Sequence, residues 1–138
     1  MGRDAMIERE LYIGKWHAVF LFSEGDYDEE LVLTRLYDTD ASYQVMMEAN
    51  KLMKSCMYNC GFTYANPDIY EAVVVVGPTS SGAEFINTLT HEVHHLAVAI
   101  ADDLGIDLEG ETPAYLSGDS ALALADVVCH LGCSKCNS

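Results

Sequence analysis

Apolar residues of this chain form three short runs that are typical of β-strands. Trp16–Phe22 is aromatic and aliphatic, and a Ser-Glu-Gly-Asp segment follows it, which predicts a strand and then a loop. Residues 62–64 predict a shorter strand. Residues 72–76 contain four consecutive valines and end at a Gly-Pro pair. Such a run predicts a strand buried on both faces, so we expect other elements to cover both sides of the sheet.

Helical spacing of apolar residues is found between and after these runs. It predicts one helix over residues 28–37 and a second over residues 40–56. A third helix begins with a capping box, in which the Ser81 hydroxyl accepts a free backbone N–H and Glu84 reaches back. This helix is expected to end at Gly105, because glycine commonly follows the last helical residue.

A fourth helix is predicted near the end of the chain. Thr112 is its expected N-cap, Pro113 suits its first turn, and it runs to about Leu131. The chain has no internal repeat and no long linker, so residues 1–138 are expected to form a single domain. Strands early and helices late predict an α+β fold, with a small sheet packed against the third and fourth helices.

Charge excludes two classes of partner. Seven Lys and Arg residues stand against 22 Asp and Glu residues, a formal net charge of -15. A surface this acidic repels phosphate backbones and anionic lipid headgroups, so neither nucleic acid nor a membrane is an expected partner. The charged N-terminal residues are unlike a signal peptide, and no apolar run is long enough to cross a bilayer. The expected location is the cytoplasm.

The third helix contains the segment His91-Glu92-Val93-His94-His95. Residues four apart lie on one face of a helix, so the imidazoles of His91 and His95 can share a cation. Glu92 lies between them in sequence and can accept a proton from a metal-bound water. Two ligands and a base predict one Zn²⁺ per chain. His94 is interpreted as a surface group or as a neighbour of the ligands.

The position of this segment around the helix favours a metal site over a packed histidine cluster. Helical counting places His91, Glu92 and His95 nearly opposite the apolar stripe, which predicts that they face a cleft. The stripe consists of Phe85, Leu89, Val93, Leu96, Ile100 and Leu104.

A catalytic zinc site requires a third protein ligand and an open position for water. Glu111, sixteen residues after His95 and directly before the cap of the fourth helix, is the preferred candidate. Asp102 is the alternative ligand, although it suits hydrogen bonding to an imidazole N–H better.

Together, the His91–His95 segment and Glu111-Thr112-Pro113-Ala114-Tyr115 resemble the gluzincins, zinc metallopeptidases whose third ligand is a downstream glutamate. The resemblance implies a zincin-like domain similar in size to the small versions encoded by phages and mobile elements. It also implies that His91, His95 and Glu111 are the ligands and that Glu92 is the general base.

Two functions follow as hypotheses. The first is a zinc-dependent hydrolase, a metallopeptidase acting on a peptide or protein substrate. The second is a non-catalytic zinc-binding accessory or interaction protein of a phage or mobile element. A catalytic site keeps water on the metal, whereas four protein ligands close a structural site.

The chain has five cysteines, and they fall into two groups. Cys56 and Cys60 are four residues apart, and the C-terminal segment holds the other three. An odd number of cysteines without an export signal favours reduced thiols. Cys133 and Cys136 have the C-x-x-C spacing of a zinc site or redox pair. A single such pair near a chain end is also typical of a frayed tail with free thiols.

Overall fold

A β-hairpin begins the fold. The computed structural model describes residues 6–105, except for the side chain of Leu104. Strands β1 (Ile7–Ile13) and β2 (Trp16–Phe22) pair antiparallel and are joined by a two-residue turn. Gly14 has a φ of 60°, which is accessible to glycine and is typical of the first residue of such a turn. The prediction for β2 is confirmed, and β1 adds a strand that was not predicted.

Two helices follow the hairpin. Helix α1 (Glu29–Asp38) is capped by Asp28, whose carboxylate accepts a backbone N–H of the first turn at 3.1 Å. Helix α2 (Tyr43–Ser55) is capped by Ser42 and therefore begins later than the predicted residue 40. The reason is local, because Asp40 has a φ of 61° and cannot start a right-handed helix.

The remaining strands complete a mixed four-stranded sheet in the order β1-β2-β4-β3. Strand β4 (Glu71–Val76) pairs parallel with β2 and antiparallel with β3 (Gly61–Asn66). The chain therefore crosses from β2 through α1, α2 and the outer strand β3 before β4 enters the centre of the sheet. The predicted strands at residues 62–64 and 72–76 are confirmed.

Helices cover both faces of the sheet, as the run of valines predicts. Val73 and Val75 pack with buried residues of α1 and α2 on one face. Val74 and Val76 pack on the other face against α3 (Gly82–Leu104). All four valine side chains are fully buried, so β4 has no solvent-facing side of its own.

The α+β class is thus confirmed for the described residues, including the packing of the sheet against the third helix. The predicted fourth helix, from Thr112 to about Leu131, lies outside the described residues. Between residues 6 and 105, no helix combines the length and the apolar character that crossing a bilayer requires.

Candidate metal centre

Helix α3 carries the candidate site, and its two ends are defined as predicted. The Ser81 hydroxyl accepts the backbone N–H of Glu84 at 3.1 Å, and Gly105 ends the helix in the left-handed conformation, with a φ of 72°. The predicted apolar stripe packs against the sheet. Its described members, all buried, are Phe85, Leu89, Val93, Leu96 and Ile100.

His91 and His95 lie side by side on the exposed surface of α3. Their Nε2 atoms are 3.0 Å apart, and their rings are perpendicular with centroids 4.5 Å apart. The ring of His94 is 6.5 Å from that of His95. The structure therefore brings together the pair of imidazoles with four-residue spacing, as the helix geometry requires.

The spacing of the two Nε2 atoms fits a shared zinc ion. With Zn–N bonds of about 2.05 Å, nitrogens 3.0 Å apart subtend an angle of about 94° at the metal. The tetrahedral angle needs a separation of about 3.3 Å, slightly more than the two nitrogens show. The separation is thus close to that of two imidazole nitrogens on one zinc ion, and it also matches a hydrogen bond between the two rings.

Glu92 departs from the predicted position. Its side chain is only 4% exposed, so it does not lie opposite the apolar stripe with the two histidines. It is directed towards β3, where the Thr63 hydroxyl is 2.8 Å from Glu92 Oε1. The physical reason is its place on the helix: Glu92 precedes Val93 of the stripe, and the edge strand β3 covers that flank.

A cavity of about 290 Å³ adjoins the site. His91 and Glu92 contribute to one wall, and Asn59 and Cys60, from the loop before β3, contribute to another. The predicted cleft is thus present beside His91 and Glu92, whereas His95 is not among the residues that line it. A larger cavity of about 500 Å³ lies at the start of α3, but no residue of the motif lines it.

Gly61 makes the close approach of β3 to α3 possible. A methyl group on Gly61 would lie 2.5 Å from the Val75 carbonyl oxygen and 3.1 Å from Glu92 Cγ. Neither Gly61 nor Thr63 was identified as a site residue from the sequence. Both lie about 30 positions before Glu92 in the chain, and no local pattern connects them with the helix.

No third ligand for His91 and His95 is found among the described residues. Within residues 6–105, no group of three His, Cys, Asp or Glu side chains is arranged to hold a metal ion. Asp102, the alternative ligand, therefore does not join His91 and His95 in this arrangement. The preferred ligand, Glu111, lies outside the described residues, and so its predicted role stays a prediction.

The prediction of reduced thiols is wrong for one pair of cysteines. Cys56, the C-cap of α2, and Cys60 form a disulfide across Cα atoms 6.4 Å apart. The sequence interpretation relied on cell compartment and on an odd count, whereas the short loop between these residues brings their side chains together. The other three cysteines, including Cys133 and Cys136, lie outside the described residues.

Comparison of the chain with protein-family models, with curated proteins and with solved structures gave no match. The geometry of α3 and β3 therefore carries the functional argument alone.

Proposed function

We propose that this protein is a zinc-dependent hydrolase, a small metallopeptidase with a zincin-like domain. The observation that carries the proposal is the arrangement on α3. Two exposed imidazoles have Nε2 atoms 3.0 Å apart, and Glu92, adjacent to His91 in sequence, contributes with His91 to the wall of a cavity. Metal-assisted hydrolysis requires this combination of ligands, base and space for a substrate.

Bound between His91 and His95, zinc would polarise a substrate carbonyl and lower the pKa of a coordinated water to about 7. Glu92 then accepts the proton of the attacking water and delivers it to the leaving amine.

Glu111 completes the proposed ligand set, with one Zn²⁺ per chain. Three protein ligands leave the fourth tetrahedral position open for water, as in catalytic zinc sites. A peptide or protein is the proposed substrate, and the cavity beside Glu92 provides about 290 Å³ for part of it.

The proposal is tested by metal analysis and hydrolysis with four proteins: the wild type, Glu92→Gln, His95→Ala and His94→Ala. We expect about one zinc per chain in all except His95→Ala, because only that variant loses a ligand. His94→Ala is the matched control, since His94 is an exposed histidine of the same helix. A mixed peptide library should be cleaved by the wild type and His94→Ala, and not by Glu92→Gln.

Two outcomes would overturn the proposal at different levels. A zinc content of His95→Ala equal to that of the wild type would refute the proposed metal site. If zinc binding requires His95 but the wild type leaves the peptide library uncleaved, the hydrolase hypothesis is refuted. The second hypothesis, a non-catalytic zinc-binding protein, then stands.

A further inference from the structure

Thr63 on the edge strand β3 contacts the proposed general base directly. Its hydroxyl oxygen is 2.8 Å from Glu92 Oε1 and 3.1 Å from the Glu92 backbone carbonyl oxygen. β3 packs against α3, so the contact forms across two elements whose relative position the core fixes. Thr63 is thus held in place independently of the side chain that it contacts.

The Thr63 hydroxyl has one proton, and its direction determines which acceptor receives the hydrogen bond. A threonine hydroxyl donates only one hydrogen bond, and two acceptors compete for it. The carboxylate oxygen is the closer acceptor and the one that carries charge, so it receives the stronger bond. The backbone carbonyl also lies inside α3, where the helical hydrogen-bond pattern satisfies it. The proton of Thr63 is therefore directed to Glu92 Oε1.

The rest of the surroundings limit the Glu92 side chain further. Gly61 leaves just enough space for Glu92 Cγ, and Thr88 lies on the same side. Glu92 is 4% exposed, yet it contributes to the wall of the cavity that His91 also lines. The hydrogen bond from Thr63 engages one of the two carboxylate oxygens, Oε1.

We propose that Thr63 is the positioning residue of this site: it holds Oε1 of Glu92 so that Oε2 is presented to the attacking water. This inference rests on the proposed function, and it assigns different tasks to the two oxygens of the general base. Fixing the rotamer of a base reduces the reorganisation needed when the proton is transferred. Without the hydroxyl, Glu92 would still be buried but would lose its fixed orientation.

The test compares Thr63→Val, Thr63→Ser and the control Thr34→Val in the full chain, with Glu92→Gln as the reference for loss of the base. Valine matches threonine in shape and lacks the hydroxyl, whereas serine keeps the hydroxyl. Thr34 is an exposed threonine of α1, on the opposite side of the sheet. Zinc content, kcat and KM on a cleaved peptide, and the visible absorption spectrum of the Co²⁺-substituted protein are measured for each variant.

A positioning role predicts a defined set of results. Thr63→Val keeps one zinc per chain and an unchanged KM, and its kcat falls by about tenfold, a fraction of what general-base catalysis contributes. Its cobalt spectrum shifts in the same direction as that of Glu92→Gln. Thr63→Ser recovers kcat and the spectrum, and Thr34→Val matches the wild type in every measurement.

Other results overturn the inference in distinguishable ways. A Thr63→Val variant with the wild-type kcat and cobalt spectrum shows that the hydroxyl does not position the base. Loss of zinc from Thr63→Val would show that Thr63 maintains the structure of the site and does not act only by positioning Glu92. If no peptide is cleaved but the cobalt spectrum responds to Thr63→Val and is restored by serine, positioning stands and the hydrolase proposal fails. If the wild type binds neither zinc nor cobalt, both proposals fail.

Discussion

At the scale of single residues, the unusual feature is a glutamate buried beside two exposed histidines. Removing a carboxylate from water costs several kcal/mol unless hydrogen bonds replace the lost hydration. Thr63 supplies such a bond to Glu92 at 2.8 Å. The sequence identifies Glu92 by its place between His91 and His95, but its burial depends on a strand that is distant along the chain.

Gly61 provides a prediction at this scale. We expect Gly61→Ala to lower the free energy of unfolding by about 1–3 kcal/mol, the usual cost of adding a methylene to a well-packed site. The new methyl group would lie 2.5 Å from a backbone carbonyl oxygen, which cannot move away freely, and 3.1 Å from Glu92 Cγ. Urea unfolding followed by circular dichroism measures the change, and kcat should fall because Glu92 is displaced.

Gly14→Ala is the comparison for this variant. Gly14 has a positive φ, but a methyl group there would lie within 4 Å of no other atom. Its substitution should cost about 1 kcal/mol through the backbone alone and leave kcat unchanged. A Gly61→Ala protein as stable and as active as the wild type would contradict the close packing of β3 against α3.

At the scale of secondary-structure elements, local patterns predict most of the described fold. The bounds of β2 and α3 agree with the prediction because an apolar run and a capping box are short-range signals. β1 was missed because charged residues interrupt its apolar positions. The structure pairs two of these charges across elements, Glu8 with Arg35 of α1 and Glu10 with His17 of β2.

The partners of His17 lead to a prediction of pH-dependent stability. His17 lies between Glu71, 2.7 Å from its Nδ1, and Glu10, 2.6 Å from its Nε2. Burial lowers the pKa of His17, but hydrogen bonds to these carboxylates and their charges outweigh it, and the net pKa is raised above 6.5. The protonated imidazole thus joins β1, β2 and β4.

The sign of the effect follows from this raised pKa. The stabilisation by His17 is fully present below the unfolded-state pKa of about 6.5 and is lost as pH rises through the higher folded-state pKa. We expect the stability difference between the wild type and His17→Gln to be largest near pH 5.5 and to shrink towards pH 9. Urea unfolding across this range measures it, and a difference that grows with pH would contradict the ion-pair arrangement.

At the scale of the whole molecule, the site lies where one face of the sheet meets α3. Sequence periodicity predicts that both faces of β4 are covered, but it does not give the strand order β1-β2-β4-β3. That order depends on a long crossover, which no local signal specifies. This order places β3 at the edge of the sheet, beside α3. The strand order therefore explains why Thr63 and Gly61 contact Glu92.

The net charge of -15 also belongs to this scale. An acidic molecule attracts divalent cations in general, so zinc bound to the protein is not by itself proof of a specific site. The cysteines after residue 105 are a second group of side chains that can bind zinc. A decisive measurement must therefore report which atoms surround the metal.

X-ray absorption spectroscopy of the protein loaded with one equivalent of zinc is that measurement. The account predicts four nitrogen or oxygen neighbours at about 2.0–2.2 Å, with scattering from two imidazole rings in the wild type and in His94→Ala, and loss of this site from His95→Ala. A shell of sulfur atoms at about 2.3 Å, or imidazole scattering unchanged in His95→Ala, would contradict a zinc site built on His91 and His95.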